Sequence, residues 1–515
     1  MGTADYDGGH IGDGSVGPVI STARAHSQGI RICFAAVARR AAHRREWVWH
    51  SGAMATGTGL AREARVGGRR APIRAVGLAA LIFLTVSGGP YGLEPAVGAV
   101  GGFWALALLL VVPVLWSLPV ALMAGEMAAT LPVLGGYYRW VREAMGEFWG
   151  FQEGWWSWLF TWVDMPLYPA LAGAILQQTW PVLTGHALGN GAVVAAVVGF
   201  MWLAAGLNWL GARLVAGYAV VCSVAVLAPF FFLVARAGGQ PAAAAGAPAA
   251  PISGLAAWGL ALTTVMWNYA GWDNVATFAP SVERPRQTYP RALLLSLVGI
   301  VVIYVVPVAA GLRIDPVSAH WVDGYFITLG ERAWGAPLAL AMSLTAVAGA
   351  WAQYTGQLLY VMPLPEALAQ DGYLPRALGR VNARGVANAS LWLCTAIYSV
   401  FALAGFERLL VADVLLYSAG LGLEFLALLR LRRRRPRLES PFRIPLEGGW
   451  LVALCAAPML LAAVMVVLAA AEDWRFTALA LGMLATGPVV YRWLARVRAA
   501  GERVNSGGGK LVNGE

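Results

Sequence analysis

About twelve stretches of mostly apolar residues, each close to the length of a membrane-crossing helix, divide this chain and decide most of what it can become. They fall near 76–97, 104–125, 148–175, 191–209, 214–236, 255–279, 290–312, 334–361, 389–404, 408–430, 449–470 and 474–494. The polar segments between them are short, apart from 126–147, 313–333, 362–388 and 431–448. Charged residues make up only 12% of the chain, where a soluble protein carries about a quarter. The sequence therefore predicts an all-α integral membrane protein with about 12 transmembrane helices.

The net charge of +10 follows the membrane and gives no sign of a nucleic-acid partner. With the N-terminus in the cytoplasm, the inner loops hold Arg139, Arg142, Arg213, Arg284, Arg286, Arg291, Arg376, Arg380, Arg384 and the run Arg432 to Arg435. The outer connections offer Arg236, Arg313, Arg332, Arg408 and Arg475. That asymmetry predicts a multi-pass protein of the cell membrane with both termini cytoplasmic. The tract "LRLRRRRPR" then faces anionic membrane lipid, acting as a topology determinant before anything regulatory.

Four scattered cysteines (Cys33, Cys222, Cys394, Cys455) give neither a disulfide framework nor a metal spacing, and the histidines form no HxxH or HExxH pair. No metal or cofactor is expected. Residues 1–70, rich in Ala, Gly and Arg, hold neither a span nor a signal-peptide core. They are expected to be a disordered cytoplasmic extension, with Met54 as an alternative start. The low-complexity stretch "GGQPAAAAGAPAAP" (238–251) falls where two halves would join. This divides the chain into spans 1–5 (71–237), spans 6–10 (238–430), a basic loop with two further spans (431–494) and a cytoplasmic tail (495–515).

Two of the apolar stretches interrupt themselves. The first carries "SGGPYG" (87–92), and the sixth carries "WNYAGWDN" (267–274) at a comparable depth. Gly88 and Gly89 free the backbone, and Pro90 removes a donor. Unpaired backbone in lipid costs several kcal/mol, so such a break survives only when buried in protein or lining a cavity. A single break is readily a packed kink. Breaks in matching positions point to a transporter built from inverted repeats, with its site between them.

Three carboxylates lie deep in these stretches: Glu94, Asp164 and Asp273, with no Lys or Arg near the middle of the same spans. An ionised group there costs roughly 2.5–3.5 kcal/mol and needs a wet cavity and a partner. Acids without an internal base suggest a cationic substrate, a titrating proton site, or both. Each also has a plainer reading. Asp164, before Met165 and Pro166, could satisfy freed backbone; Glu94 could be a first-contact charge at the outer mouth; Asp273 could cap a half-helix. Glu126 reads as a cytoplasmic gate or helix-end residue, and Glu424 as a partner of Arg430 or Arg432. Of the 23 tryptophans, those in "FWGFQEGWWSW" suit an interfacial belt. Trp267, Tyr269 and Trp272 instead flank the second break, where an indole can cover a cation; Trp272 is the expected gate, with core packing as its alternative.

Several motifs in order carry a resemblance: "VSGGPYGLE", "WSLP.AL..GEM...P..GGYYRWV", "GFQEGWWSW", "D..LYP", "NYAGWDNVAT....VERPRQTYPRAL", "W.DGYF" and "YSAGLGLEFLALLRLR...P....PFRIP". From about 80 to 450 the chain resembles the amino acid–polyamine–organocation superfamily, and within it the plant and protozoan polyamine-uptake branch. The resemblance implies a five-plus-five inverted repeat with two extra helices, alternating access, and proton-coupled uptake or exchange. It also implies a substrate site made by Ser87, Gly88, Gly89 and Tyr91 of the first break and by Asn268, Tyr269, Trp272 and Asp273 of the second. Glu94, Asp164 and Tyr168 are expected beside them, with Glu126 and Glu283 in gating or coupling. The chain departs from the branch at Val120, where an acid is usual, and at Met165 and Pro166 after Asp164. Its fifth stretch lacks a membrane lysine, and its eighth lacks an adjacent Ser/Thr pair suited to sodium.

The expected function is transport of a polyamine or related organic cation, with a proton as coupling ion and a monomer or weak homodimer as the working unit. The alternative is a permease or exchanger for neutral or cationic amino acids, whose carboxylate the first break's N–H groups would hold. An enzyme or a non-transporting sensor is disfavoured, because the sequence offers no nucleophile–base arrangement and no soluble module.

Overall fold

The computed structural model describes residues 73–239, 254–404, 406–435, 440–472 and 474–508. The expected extension 1–70 with its alternative start at Met54 lies outside the described residues, as do 240–251 of the linker and 509–515 of the tail.

Pro90 and its neighbouring glycines divide the first apolar stretch into α1 (Ala75–Val86) and α2 (Glu94–Val100). The second stretch runs as α3 (Gly102–Val112), a π-helical turn (Pro113–Ser117) and α4 (Leu118–Thr130). Pro113 has no N–H to donate, so the ladder widens there. A short amphipathic α5 (Gly136–Met145) leads to α6 (Glu147–Asp164), α7 (Leu167–Thr184), α8 (Asn190–Trp209) and α9 (Ala212–Gly238). The sixth stretch breaks between α10 (Leu255–Asn268) and a 3-10 segment (Asn274–Ser281). Then follow α11 (Pro285–Ile314), α12 (Tyr325–Trp334), α13 (Ala336–Val361), α14 (Pro363–Gln370), α15 (Asn388–Phe401), α16 (Phe406–Arg434), α17 (Gly448–Glu472) and α18 (Trp474–Gly508).

Among the described residues there is no strand, only two isolated bridges, Ile73 with Val282 and Val381 with Ala387. Nine helices among them are long and apolar enough to cross a membrane. The first and sixth stretches fall short because they are broken, and the ninth because α15 has 14 residues. The expectation of an all-helical membrane protein with interrupted first and sixth segments therefore holds. Large apolar side chains such as Leu295 and Trp450 lie 74% and 77% exposed, as suits a surface that meets lipid. Inside, α1 packs on α9, α11 and α13, α2 on α10, α4 on α11, and α6 on both α5 and α16.

One expected ion pair is corrected. Arg432 does not pair with Glu424; it clasps Glu126 with Nε to Oε1 (2.7 Å) and Nη2 to Oε2 (2.5 Å). It also donates to the Leu446 and Ile444 carbonyls (2.7 and 2.8 Å), while the Ile444 N–H donates to Glu126 Oε2 (2.8 Å). A planar guanidinium suits this multi-bond site, and the end of α4 is thereby riveted to α16 and the loop after it. Removing one partner of a buried pair strands the other. Arg432→Met is expected to cost about 3–5 kcal/mol, read as a large drop in Tm of the detergent-purified protein. An unchanged Tm would show that the clasp bears no load.

A second knot closes the connection after α11. Asp315 is buried and accepts hydrogen bonds from Tyr325, from His320 Nδ1 (2.7 Å), from the Val317 N–H (3.0 Å) and from Arg332. Burial alone would raise its pKa, but these donors, Tyr325 foremost, outweigh burial and hold the carboxyl down at about 2. A depressed folded pKa gives stability that is full above the unfolded value of about 3.9 and is lost as pH falls towards 2. Amide protection of Val317–Tyr325 should therefore be flat from pH 7 to 5 and fall below pH 4. Asp315→Asn should lack that acid limb; the same limb in the variant would assign it to another group.

Candidate functional site

The two breaks face each other and are stitched together. Gly88 adopts φ +62°, a conformation that favours glycine, and a Cβ there would displace the Gln353 carboxamide of α13. Ser87 Oγ accepts the Gly89 N–H (3.1 Å), and Glu94 Oε2 accepts the Gly92 N–H (2.7 Å). In the second break Gly271 adopts φ +90° and donates its N–H to the Tyr417 hydroxyl (3.0 Å), which itself donates to Asp273 Oδ1 (2.5 Å). Asn268 Nδ2 reaches both the Thr264 carbonyl (2.9 Å) and, across the gap, the Gly92 carbonyl (3.2 Å). Tyr304 donates to the Asn268 carbonyl (2.8 Å), while Ser117 of the π-helical turn and the Trp272 indole both serve the Tyr269 carbonyl (3.3 and 2.9 Å). Backbone that left its helix is thus satisfied by side chains of the breaks themselves and of neighbouring helices.

The buried acids form two levels. At the first, Asp164 Oδ1 accepts from Tyr168 (2.9 Å) and Oδ2 from Tyr360 (3.5 Å), and the Trp267 indole also reaches it. Trp267 stacks on the Tyr168 ring at 5.9 Å, and Gln357 Nε2 donates to the Tyr168 hydroxyl. Asp413 of α16 faces the same pair, and its Oδ1 has no partner among the described residues. At the second level, Asp273, Glu153 of α6 and Glu424 of α16 gather, with Ser157 donating to Glu153 Oε1 (2.9 Å).

Helix arithmetic explains the levels. Glu153 and Asp164 stand eleven residues apart on α6, and so do Asp413 and Glu424 on α16. Eleven residues are close to three turns, which returns to the same face about 16 Å further along. Because the two helices pack antiparallel, each acid of one meets an acid of the other. This regularity is present in the sequence, but each helix read alone gives Asp413 and Glu153 no role and gives Glu424 an arginine partner.

The other expected residues lie as follows. Tyr91 donates to the Met342 carbonyl (2.9 Å), with its ring against Phe230 and Phe326. Glu94 is fully buried, and its Oε1 has no partner among the described residues. Tyr269 is buried with its hydroxyl on the Leu109 carbonyl (2.9 Å). Trp272 is fully buried with its indole on the Tyr269 carbonyl of its own break (2.9 Å), and the indole that reaches Asp164 is that of Trp267. Glu126 sits in the Arg432 clasp, and Glu283 is exposed, its N–H on the Ile73 carbonyl (2.9 Å).

Residues 73–486 match the family described as "Amino acid permease". Among curated proteins, the chain is 34% identical over 414 residues to "Polyamine transporter PUT1" of Oryza sativa subsp. japonica, covering 80% of this chain and 76% of that one. It is 30% identical over 447 residues to "Polyamine transporter RMV1" of Arabidopsis thaliana, covering 87% and 90%. A more distant likeness, 27% over 371 residues, covers 65% of this chain and 76% of an uncharacterized transporter of Legionella pneumophila.

The stitching gives a direct test. Tyr417→Phe removes the hydroxyl that serves both Gly271 and Asp273 and is expected to cost about 1–3 kcal/mol of thermal stability. Tyr289→Phe, whose buried hydroxyl has no partner among the described residues, should leave Tm unchanged or raise it. Equal Tm losses in both would mean that the hydroxyl of Tyr417 has no special place.

Proposed function

The chain belongs to the amino acid permease family, and from that premise we propose that it is a secondary active transporter carrying polyamines or related organic cations, coupled to protons. It works by alternating access between two repeats, 71–237 and 238–430, in the cell membrane, with both termini cytoplasmic. Its relatives are named polyamine transporters, which supports the substrate class.

One observation carries the reading. Where a permease for amino acids would hold the substrate's carboxylate on N–H groups of the first break, this chain supplies its own. Glu94 takes the Gly92 N–H and Ser87 takes that of Gly89. The site thus meets its substrate with carboxylates, which suits an ammonium group. We assign the first amine to Asp164 and Asp413, between the Tyr168 and Trp267 rings, where aromatic faces add about 0.5–2 kcal/mol of cation attraction. Glu94 is the acid met on the way in from outside. A filled site loses its excess charge and crosses between states more readily than an empty one.

The second reading, a permease for amino acids, is favoured by Val120, which stands where the resembling branch has an acid. Competition for radiolabelled putrescine uptake into proteoliposomes under an inward proton gradient separates the two. We expect spermidine and putrescine to compete, while arginine, leucine and alanine do not; the reverse pattern would give the site to an α-amino acid. Asp164→Asn and Asp413→Asn should each raise the apparent KM for putrescine about tenfold or more, since a charged hydrogen bond is worth about 1.5–3 kcal/mol. An unchanged KM in both would move the amine elsewhere.

A further inference from the structure

The second acid level is left without a task by substrate binding at the first. Asp273, Glu153 and Glu424 come from three elements that move relative to one another in any alternating-access cycle: the second break, α6 and α16. None is more than 3% exposed. Glu424 approaches Asp273 carboxyl to carboxyl, and the Oε2 atoms of Glu153 and Glu424 find no donor among the described residues. A Cβ at Gly420 would lie 3.0 Å from Glu153 Oε1, so α16 packs tightly onto this level. Independently of the acids, the Tyr289 hydroxyl of α11 is fully buried, unpartnered among the described residues, and faces both Asp273 and Glu424.

What ligand does such a place take? Three carboxylates cannot share a dry site as anions, so the level needs positive charge. The groups facing it are Tyr137 of α5, Tyr289 of α11, Tyr360 of α13 and Tyr417 of α16, all phenols. No arginine or histidine among the described residues is set against the three acids. The single lysine of the chain is Lys510, and the histidines past the first 50 residues are His186 and His320, both in connections between helices. Among the described residues no three His, Cys, Asp or Glu side chains have a metal-holding arrangement. Glu126 is held by Arg432 and cannot serve. The remaining cation small enough for this packing is the proton.

We infer that Glu153, Asp273 and Glu424 form the proton-carrying site of the transporter, separate from the amine pocket one level away. The inference rests on the proton coupling proposed above. Protons arriving from outside reach the first level with the substrate and pass on by way of Tyr360, whose hydroxyl donates to Asp164 and which also lies near Asp273, the acid that Tyr417 serves. Release follows when α16 and the second break part on the inner side and water reaches the acids. The proton that enters is the proton that leaves, and the carboxylates are restored.

The test uses the full chain in proteoliposomes, with putrescine accumulation under an inward proton gradient and putrescine self-exchange without one. For wild type, accumulation should follow the gradient by about tenfold per pH unit for each proton carried. Glu153→Gln and Glu424→Gln should lose accumulation above equilibrium while keeping self-exchange. If wild-type accumulation ignores the gradient, proton coupling itself fails. If wild type responds and both variants respond equally, only this assignment fails. Should either glutamine variant lose self-exchange too, Tyr289→Phe decides: a shifted pH midpoint of uptake supports the site, and an unmoved midpoint overturns it.

Discussion

Everything at the centre of this protein depends on keeping unwound backbone satisfied where lipid surrounds the bundle and water is scarce. The first and sixth segments each give up a turn of helix, and the freed groups are taken by Ser87, Glu94, Asn268, Tyr304 and Tyr417. Asn268 is the key stitch, because one carboxamide serves its own helix and the opposite break together. With that bond in place the two breaks are one object, and a site between them has walls on both sides.

Charge is handled by the same economy. Where an acid has a fixed task, as Glu126 and Asp315 do, arginine is supplied and the geometry is saturated. Where acids stand by the breaks, the donors among the described residues are phenols, Tyr168 on Asp164 and Tyr417 on Asp273. Tyrosine can donate to a carboxylate without neutralising it, so under the proposed function the site keeps its demand for a mobile cation. On the proposed function, the contrast between saturated and unsaturated carboxylates separates scaffold from machinery more clearly than burial does, since both kinds are buried.

How much of this was legible beforehand follows from the range of each interaction. The breaks were readable because glycine and proline act locally, at Gly88, Gly89, Pro90 and Gly271. The Glu126–Arg432 clasp was not, since its partners are separated by 306 residues and nearer arginines offered themselves to Glu424. Asp413 was missed because an acid near the polar end of an apolar stretch looks solvated. Only its pairing with Asp164 across two antiparallel helices gives it meaning. Which indole reaches Asp164 of α6 and stacks on Tyr168 of α7 likewise depends on packing between helices, which no local pattern records. The eleven-residue spacing on α6 and α16 was visible, but a spacing in one helix means little until a second helix is known to match it.

The π-helical turn at Pro113–Ser117 has a consequence of its own. Phe103, Trp104, Leu110 and Val111 before it are exposed, while nearly every residue from Trp116 to Ala129 is enclosed. The turn therefore works as a swivel coupling between a lipid-facing shaft and a core-facing one. Passing the extra residue one position along the helix would rotate the stretch between by about 100° without tilting either end. Trp116, which lies against Tyr417, and Ser117, which holds Tyr269, ride on that coupling. A torsional motion confined to one helix would thus reach the second break, through Tyr417 and Tyr269 together.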